Sequence, residues 1–145
     1  MTKLRAIKRS RVRSEGGVWW NFETGEQLKE PHAKDLCVLV AEAGNPKYRE
    51  ALSRLRMLSF GEIRSGNGKA GEILERINDE AAASAIVLGW ANLEDDEGKP
   101  ILYSSATALE LLRDPDAWQF RQFVFDVATI GRAYQKEAED KALGN

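Results

Sequence analysis

The apolar residues of the first third of the chain lie in short runs that favour strands. Residues 18–22 are rich in aromatic and β-branched side chains, and Thr24-Gly25 favours a turn from which residues 26–28 return as a second strand. The apolar run 36–40 is either a third strand or a buried piece of helix. Periodicity does not separate these two interpretations in so short a run.

The apolar spacing becomes helical after residue 44. Asn45-Pro46 predicts a helix start, because asparagine caps a helix well and a proline in the first turn loses no needed hydrogen-bond donor. Asp114-Pro115 repeats this signal at the start of a long last helix. The apolar stripe predicted for that last helix consists of Phe120, Phe123, Val124, Val127, Ile130 and Tyr134.

Two further helices are predicted between these signals. One spans about 69–88 and is ended by Gly89, because glycine commonly follows the last turn of a helix. The other is short and is capped by Ser104 or Ser105. Residues 59–70 contain several glycines and predict a flexible connection without a helix of their own.

Taken together, these segments predict an α+β fold that is mainly α, with a small N-terminal β unit followed by about four helices. We expect a basic arm over residues 1–16 and a single domain over residues 17–145. Within that domain, the β unit should occupy residues 17–43 and the helical body residues 45–145. A chain of 145 residues suits one domain with a modest core.

Charged residues are segregated along the chain, although the formal net charge is only −2. The arm carries six bases and no acid before Glu15, whereas residues 72–97 carry eight acids and a single base. Such regions bind partners of opposite sign, bind each other, or are simply solvated faces. The bases of the arm are Lys3, Arg5, Lys8, Arg9, Arg11 and Arg13.

The sequence offers few groups for catalysis or for metal binding. Cys37 is its one cysteine and His32 its one histidine, which excludes an intrachain disulfide and a standard zinc cluster. A Cys–His nucleophile is conceivable, but Cys37 lies in an apolar run, where a packed and inert thiol is the usual state. We therefore predict no catalytic residue, no cofactor and no metal site.

Two loops share only part of a ligand-binding motif. The acidic turn 94–97 lacks the glutamate that a calcium loop needs at position twelve, where Ala106 stands. Residues 66–69 end in a Walker-like Gly-Lys pair, but Ile63 and Ala70 occupy the places of the motif's first glycine and its hydroxyl residue. A solvated turn and a glycine-rich linker are the favoured interpretations.

The order of several local strings resembles one family of phage proteins. Gly17-Val18-Trp19 opens a strand pair, and Asn45-Pro46-Lys47-Tyr48-Arg49 starts a helix. Val87-Leu88-Gly89-Trp90-Ala91-Asn92-Leu93 leads into Asp95-Asp96-Glu97-Gly98-Lys99-Pro100-Ile101, followed by a short helix and a long charged one. This order resembles the tail assembly chaperones of long-tailed phages and prophages, best over residues 89–145 and more weakly back to Gly17.

The resemblance implies a protein that binds tape measure protein, tail tube protein or both during tail morphogenesis, in the cytoplasm of the bacterial host and without a cofactor. Many members of this family are followed by a frameshifted extension. Partner contacts are expected from the apolar stripe of the last helix, unless that stripe is the core of the domain. The residues predicted to bind a partner are Trp90, Asp95, Asp96, Phe120, Phe123, Val127 and Tyr134.

Two other functions stay open at this point, as does a homo-oligomer. The first is a structural component of the virion, such as a tail completion or neck protein. The second is a nucleic-acid-binding phage regulator that uses the basic arm, with Trp19 and Trp20 nearby to stack on bases. The acidic remainder of the chain argues against nucleic acid. The most apolar run, residues 81–90, is too short to span a membrane, which takes about 20 residues.

Overall fold

The computed structural model describes residues 15–66 and 69–142, and describes side chains as far as Ile130 apart from the break at 67–68. The predicted α+β, mainly α fold is confirmed. Most of the basic arm, including the weak strand that its alternating apolar residues suggest, lies outside the described residues. Within those residues, no helix combines the length and the apolar character needed to cross a membrane.

One antiparallel sheet of four strands forms the β part, in the order β2-β1-β3-β4. The ambiguous run 36–40 is therefore a strand from Cys37 onward. A single row of residues crosses the whole sheet, because Trp19 pairs with Leu28 and Leu39, and Leu39 pairs with Gly89. The strands are β1 (Val18–Asn21), β2 (Gln27–Leu28), β3 (Cys37–Val40) and β4 (Val87–Ala91).

Five helices lie within the described residues, together with a 3-10 turn at Pro115–Ala117. Side-chain caps from Asn45 and Ser104 begin two of them, and Asp114 caps the 3-10 turn before the last, as the sequence predicts. These caps form locally, so sequence alone locates them. The helices are α1 (Pro46–Leu58), α2 (Phe60–Ser65), α3 (Ala70–Ala85), α4 (Ser105–Arg113) and α5 (Trp118–Ala142).

The helix predicted over 69–88 is wrong at its C-terminal end, since α3 stops at Ala85 and β4 follows at once. Ile86 and Val87 favour a strand at this point, and the free edge of β3 supplies the ladder hydrogen bonds. Gly89 is also not a helix terminator, because it lies within β4. A Cβ there would lie 3.7 Å from the Cβ of Leu39 and 4.0 Å from the indole of Trp19, which are ordinary van der Waals distances.

Residues 59–70 are also more ordered than predicted, because they contain the six-residue helix α2. Ser59 ends α1 and is itself buried, with its N–H bonded to the carbonyl of Leu55 at 3.0 Å. Gly66 then ends α2 in the left-handed conformation, at φ 70°. An ion pair of 3.5 Å between Glu62 and Arg76 holds α2 against α3.

The core lies between the sheet and helices α1, α3, α4 and α5. Trp20, Val38 and Trp90 are consecutive partners across β1, β3 and β4, and all three are buried on the helical side of the sheet. Fully buried side chains from the helices complete this core, and they include Ile77, Leu112 and Val124. Burial of these large apolar groups is the main term that stabilises the fold.

Asn45 connects two parts of this core. Its side-chain oxygen accepts a hydrogen bond from the N–H of Tyr48 at 2.9 Å, which caps α1. Its amide nitrogen donates to the carbonyl of Glu42, and also to the carbonyl of Ala85 at 3.1 Å. The residue is 1% exposed, so one side chain fixes the start of α1 against the end of α3 without help from water.

Candidate functional site

Three of the seven residues predicted to bind a partner lie in the core. Trp90, Phe120 and Val127 are buried, which confirms the alternative that the stripe of α5 packs inward. Phe123 is half-buried, and its ring meets that of Phe22 edge-on with 5.0 Å between centroids. A partner could reach these side chains only if α5 moved away. The side chain of Tyr134 lies outside the described residues.

The acidic turn 94–97 lies elsewhere on the surface. One oxygen of Asp95 accepts hydrogen bonds from the N–H groups of Glu97 and Lys99, each at 2.9 Å. Asp95 therefore shapes the turn by local side-chain bonds, and both Asp95 and Asp96 are exposed. The structure does not bring these two residues together with the apolar stripe of α5, and a role of the turn in binding stays a prediction.

A groove of about 720 Å³ lies on the opposite side of α5. We call it the α3–α5 groove, because α3 forms one wall and the first turns of α5 form the other, with the end of α4 closing it. Five carboxylates and three guanidinium groups line it, so its charge is net negative. Its lining residues are Glu72, Glu75, Arg76, Asp79, Leu112, Arg113, Asp114, Pro115, Trp118, Arg121, Gln122, Phe125 and Asp126.

An ion pair between Asp79 and Arg121 connects the two walls. The Nε of Arg121 donates to Oδ1 of Asp79 at 2.9 Å, and Nη2 of Arg121 lies 3.9 Å from a carboxylate oxygen of Glu75. The guanidinium also lies 4.9 Å from the centroid of the Phe125 ring, within the range of a cation–π contact. One arginine is thus held by two carboxylates and an aromatic face, which fixes the spacing of α3 and α5.

Burial raises the pKa of the Asp79 carboxyl above its ordinary value of 3.8, and the hydrogen bond and charge of Arg121 act in the opposite direction. Asp79 is 5% exposed, so the cost of removing its charge from water is the larger effect. The folded protein therefore holds this proton more tightly than the unfolded chain. Ionisation of Asp79 consequently lowers stability as the pH rises above about 4.

We expect Arg121→Gln to lower the free energy of unfolding by about 2 kcal/mol at pH 7, because it leaves a buried carboxylate without its partner charge. This is less than the usual cost of breaking a buried pair, since the side chain of Arg121 is 33% exposed. Loss of Arg121 raises the pKa of Asp79 further, so the deficit should shrink as the pH falls and the carboxyl gains its proton. Urea denaturation from pH 4 to pH 8 measures this, with Arg54→Gln as control, because Arg54 is exposed and lies outside the groove. A deficit independent of pH would contradict the assignment.

Trp118 is the large apolar group that the groove presents to solvent. Its side chain is 59% exposed, although tryptophan is usually well buried. It stands at the first position of α5, and Phe125 lies two turns further along the same wall. An exposed aromatic group among carboxylates is suited to a segment that carries both apolar and basic side chains.

This groove is not among the sites that the sequence predicts, although the sequence contains part of its pattern. Trp118, Gln122 and Phe125 are spaced four and three apart, which indicates a second and weaker stripe on α5 beside the core stripe. The ion pair itself carried no signal, because Asp79 and Arg121 are 42 positions apart. Only the folded structure brings these two residues together.

His32 lies in the loop before β3 and Cys37 is the first residue of β3. The side chains of both residues form hydrogen bonds with nearby backbone groups. Nδ1 of His32 accepts hydrogen bonds from the N–H groups of Lys34 and Asp35, each at 3.1 Å. The Cys37 sulfur accepts from the N–H of His32 at 3.3 Å and donates to the carbonyl of Asp35 at 3.4 Å. Both side chains therefore serve local hydrogen bonds in this structure, and no hydrogen bond between the imidazole and the thiol is seen.

A second open surface lies where α1 meets α2. Three large apolar side chains point into solvent there, since Met57, Leu58 and Phe60 are 79%, 76% and 60% exposed. No residue of α2 is buried. We call this surface the α1–α2 corner. Its three arginines, Arg54, Arg56 and Arg64, are exposed and outnumber Glu62, so the corner is basic.

Comparison with known proteins relates the chain to a protein family. The family model described as YdaY prophage protein matches residues 43–145, a span that contains all five described helices, β4 and the whole α3–α5 groove. Strands β1 to β3 lie before it. No curated protein and no solved structure matches the chain.

Proposed function

Because the chain belongs to the YdaY prophage protein family and is therefore phage-related, we propose that it acts as a tail assembly chaperone. In this proposal it binds the tape measure protein, the tail tube protein or both during tail morphogenesis, and it catalyses no reaction. The α3–α5 groove supplies the binding surface. The observation that carries the proposal is the exposed Trp118 in an open groove of net negative charge.

The groove suits an amphipathic helix better than it suits a small molecule. It is open along the first half of α3 and the first turns of α5, and its apolar groups are few and separated. A helix with one apolar stripe could place large side chains against Trp118 and Phe125 and direct lysine or arginine residues towards the carboxylates of Glu72, Glu75 and Asp126. Tape measure proteins resemble such a partner, since they are long and helical with apolar stripes that aggregate when unpaired.

The direct test is co-expression of the tagged chain with the tape measure and tail tube proteins of the same genome. Each partner is also expressed without the chain, and its soluble fraction is compared. We expect at least one of them to become soluble and to co-elute. Failure of both to bind or to gain solubility would contradict the chaperone proposal. The chain should then be sought in purified particles, where a fixed copy number would instead indicate a virion component.

We expect Trp118→Ser to weaken capture of the partner by at least about tenfold, because a central exposed tryptophan commonly contributes 2 kcal/mol or more to an interface. The effect on folding should be small, because the side chain is more than half exposed. Leu102→Ser is the matched control, since Leu102 is 81% exposed and does not line the groove. Binding titrations of both variants measure the difference. Equal loss in the two variants would place the partner elsewhere.

A further inference from the structure

Two open surfaces of opposite charge flank helix α3. The basic and apolar α1–α2 corner lies on one side, where Glu62 of α2 is paired with Arg76. The acidic α3–α5 groove lies on the other side and includes Arg76 in its lining. Arg76 thus marks the boundary between the two surfaces, and both belong to one folded body.

The corner exposes more apolar surface than a solvated helix junction requires. Met57, Leu58 and Phe60 fall within four consecutive positions, and each is at least 60% exposed. Isolated exposed apolar residues are common on protein surfaces, but a contiguous group of large ones usually marks an interaction site. The exposed arginines around them favour a partner surface that is acidic.

The groove has the properties that such a partner surface needs. It offers an exposed indole and the Phe125 ring as apolar contacts, and its carboxylates outnumber its guanidinium groups by five to three. Bidentate bonds between arginine and a carboxylate would add direction to such a contact. Since the corner and the groove lie on different sides of α3 in one folded body, the corner can meet this groove only on another molecule.

We propose that the α1–α2 corner of one copy of this chain docks into the α3–α5 groove of a second copy. Phe60 and Leu58 contact Trp118 and Phe125, and the arginines of the corner face the carboxylates of the groove. The contact is head-to-tail, because two different surfaces meet. It goes beyond the proposed function, since it requires no phage protein other than this chain.

This contact also means that the groove is bound by a second copy of the chain when no tail protein is present. In such a pair, the first copy no longer exposes Trp118 of its groove. The second copy no longer exposes the α1–α2 corner that fills this groove. A tail protein with a basic amphipathic helix would then compete with the second copy for the same groove. Association of the isolated chain tests this contact separately, so failure of the chaperone proposal and failure of self-association can be told apart.

Sedimentation velocity of the full chain, from low micromolar to about 200 µM, tests the proposal, since small contacts of this kind associate weakly. We expect the average mass to rise above the 16.2 kDa of one chain as concentration increases, and to fall again when salt is raised, because charge contributes to the contact. Phe60→Glu alters the corner and Trp118→Glu alters the groove, and both side chains are exposed. Leu102→Glu is the control at an exposed position outside both surfaces.

Each of the two variants should remain at 16.2 kDa when alone, while the control associates as the unaltered chain does. An equal mixture of the two should form a species of twice that mass, because the corner variant keeps its groove and the groove variant keeps its corner. A mixture that stays at the mass of one chain would overturn the proposal. So would an unaltered chain that stays monomeric throughout, or association that persists in either variant.

Discussion

Replacing Trp90 by alanine should lower the free energy of unfolding by about 4 kcal/mol, within the range for loss of a large buried aromatic side chain. Trp90 is 9% exposed on the helical side of β4. Its indole N–H donates to the carbonyl of Ile101 at 2.8 Å, and its ring meets those of Tyr103 and Phe120 edge-on, with centroids 5.1 and 6.3 Å away. The change therefore removes apolar contacts from the sheet, from α5 and from the segment that follows β4.

Trp90→Phe separates packing from hydrogen bonding at this position. Phenylalanine keeps most of the apolar surface but cannot donate to the Ile101 carbonyl, so a smaller loss of about 1 to 2 kcal/mol is expected. Urea denaturation followed by circular dichroism measures both variants, with the slope of the transition checked for equality. If Trp90→Ala left stability within about 0.5 kcal/mol, the indole would not be part of the core. Its predicted role as a partner contact would then regain support.

The second large effect is expected at Asn45. Asn45→Ala should cost about 3 kcal/mol, because it removes the cap of α1 and leaves the buried carbonyls of Glu42 and Ala85 without this donor. Ser104→Ala is the matched control, since Ser104 caps α4 but is exposed and donates to no distant carbonyl. That change should cost about 1 kcal/mol, as an ordinary cap does.

The two variants differ in how much free energy of unfolding they lose. This difference measures what the hydrogen bonds of Asn45 contribute beyond the cap of α1. Thermal or urea unfolding of both proteins provides it. Equal losses would show that Asn45 acts only as a local cap and that its bond to Ala85 of α3 adds nothing. A much larger loss at Asn45 would show that the start of α1 depends on α3, consistent with the burial of this side chain.

The features that were predictable from the sequence depend on neighbouring residues. The caps at Asn45, Ser104 and Asp114 are local, and so is the turn that joins the first two strands. By contrast, residues 87–91 form a strand because β3 offers its edge, and nothing in their own spacing reveals that edge. The residues predicted to form the last turn of α3 pair with β3 instead, at positions about 50 apart in the sequence.

The candidate site was less predictable than the fold. The apolar stripe of α5 predicts partner contacts at Phe120, Phe123 and Val127. The structure places these three residues in or against the core. The groove instead uses Trp118 and Phe125 of the same helix, together with Asp79 from α3. Apolar spacing identifies the buried face of a helix more readily than its binding face, because burial involves more residues.

The late position of α5 in the chain has a consequence for the order of folding. The backbone N–H of Ala43 bonds to the carbonyl of Ala128 at 3.2 Å, and Phe22 near the N-terminal end of the domain packs on Phe120 and Phe123. A nascent chain that has left the ribosome only as far as residue 117 contains the four strands of the sheet but lacks α5, one of the helices that pack against it. Because these contacts join positions about 85 to 100 apart, we expect it to stay incompletely packed until α5 has emerged.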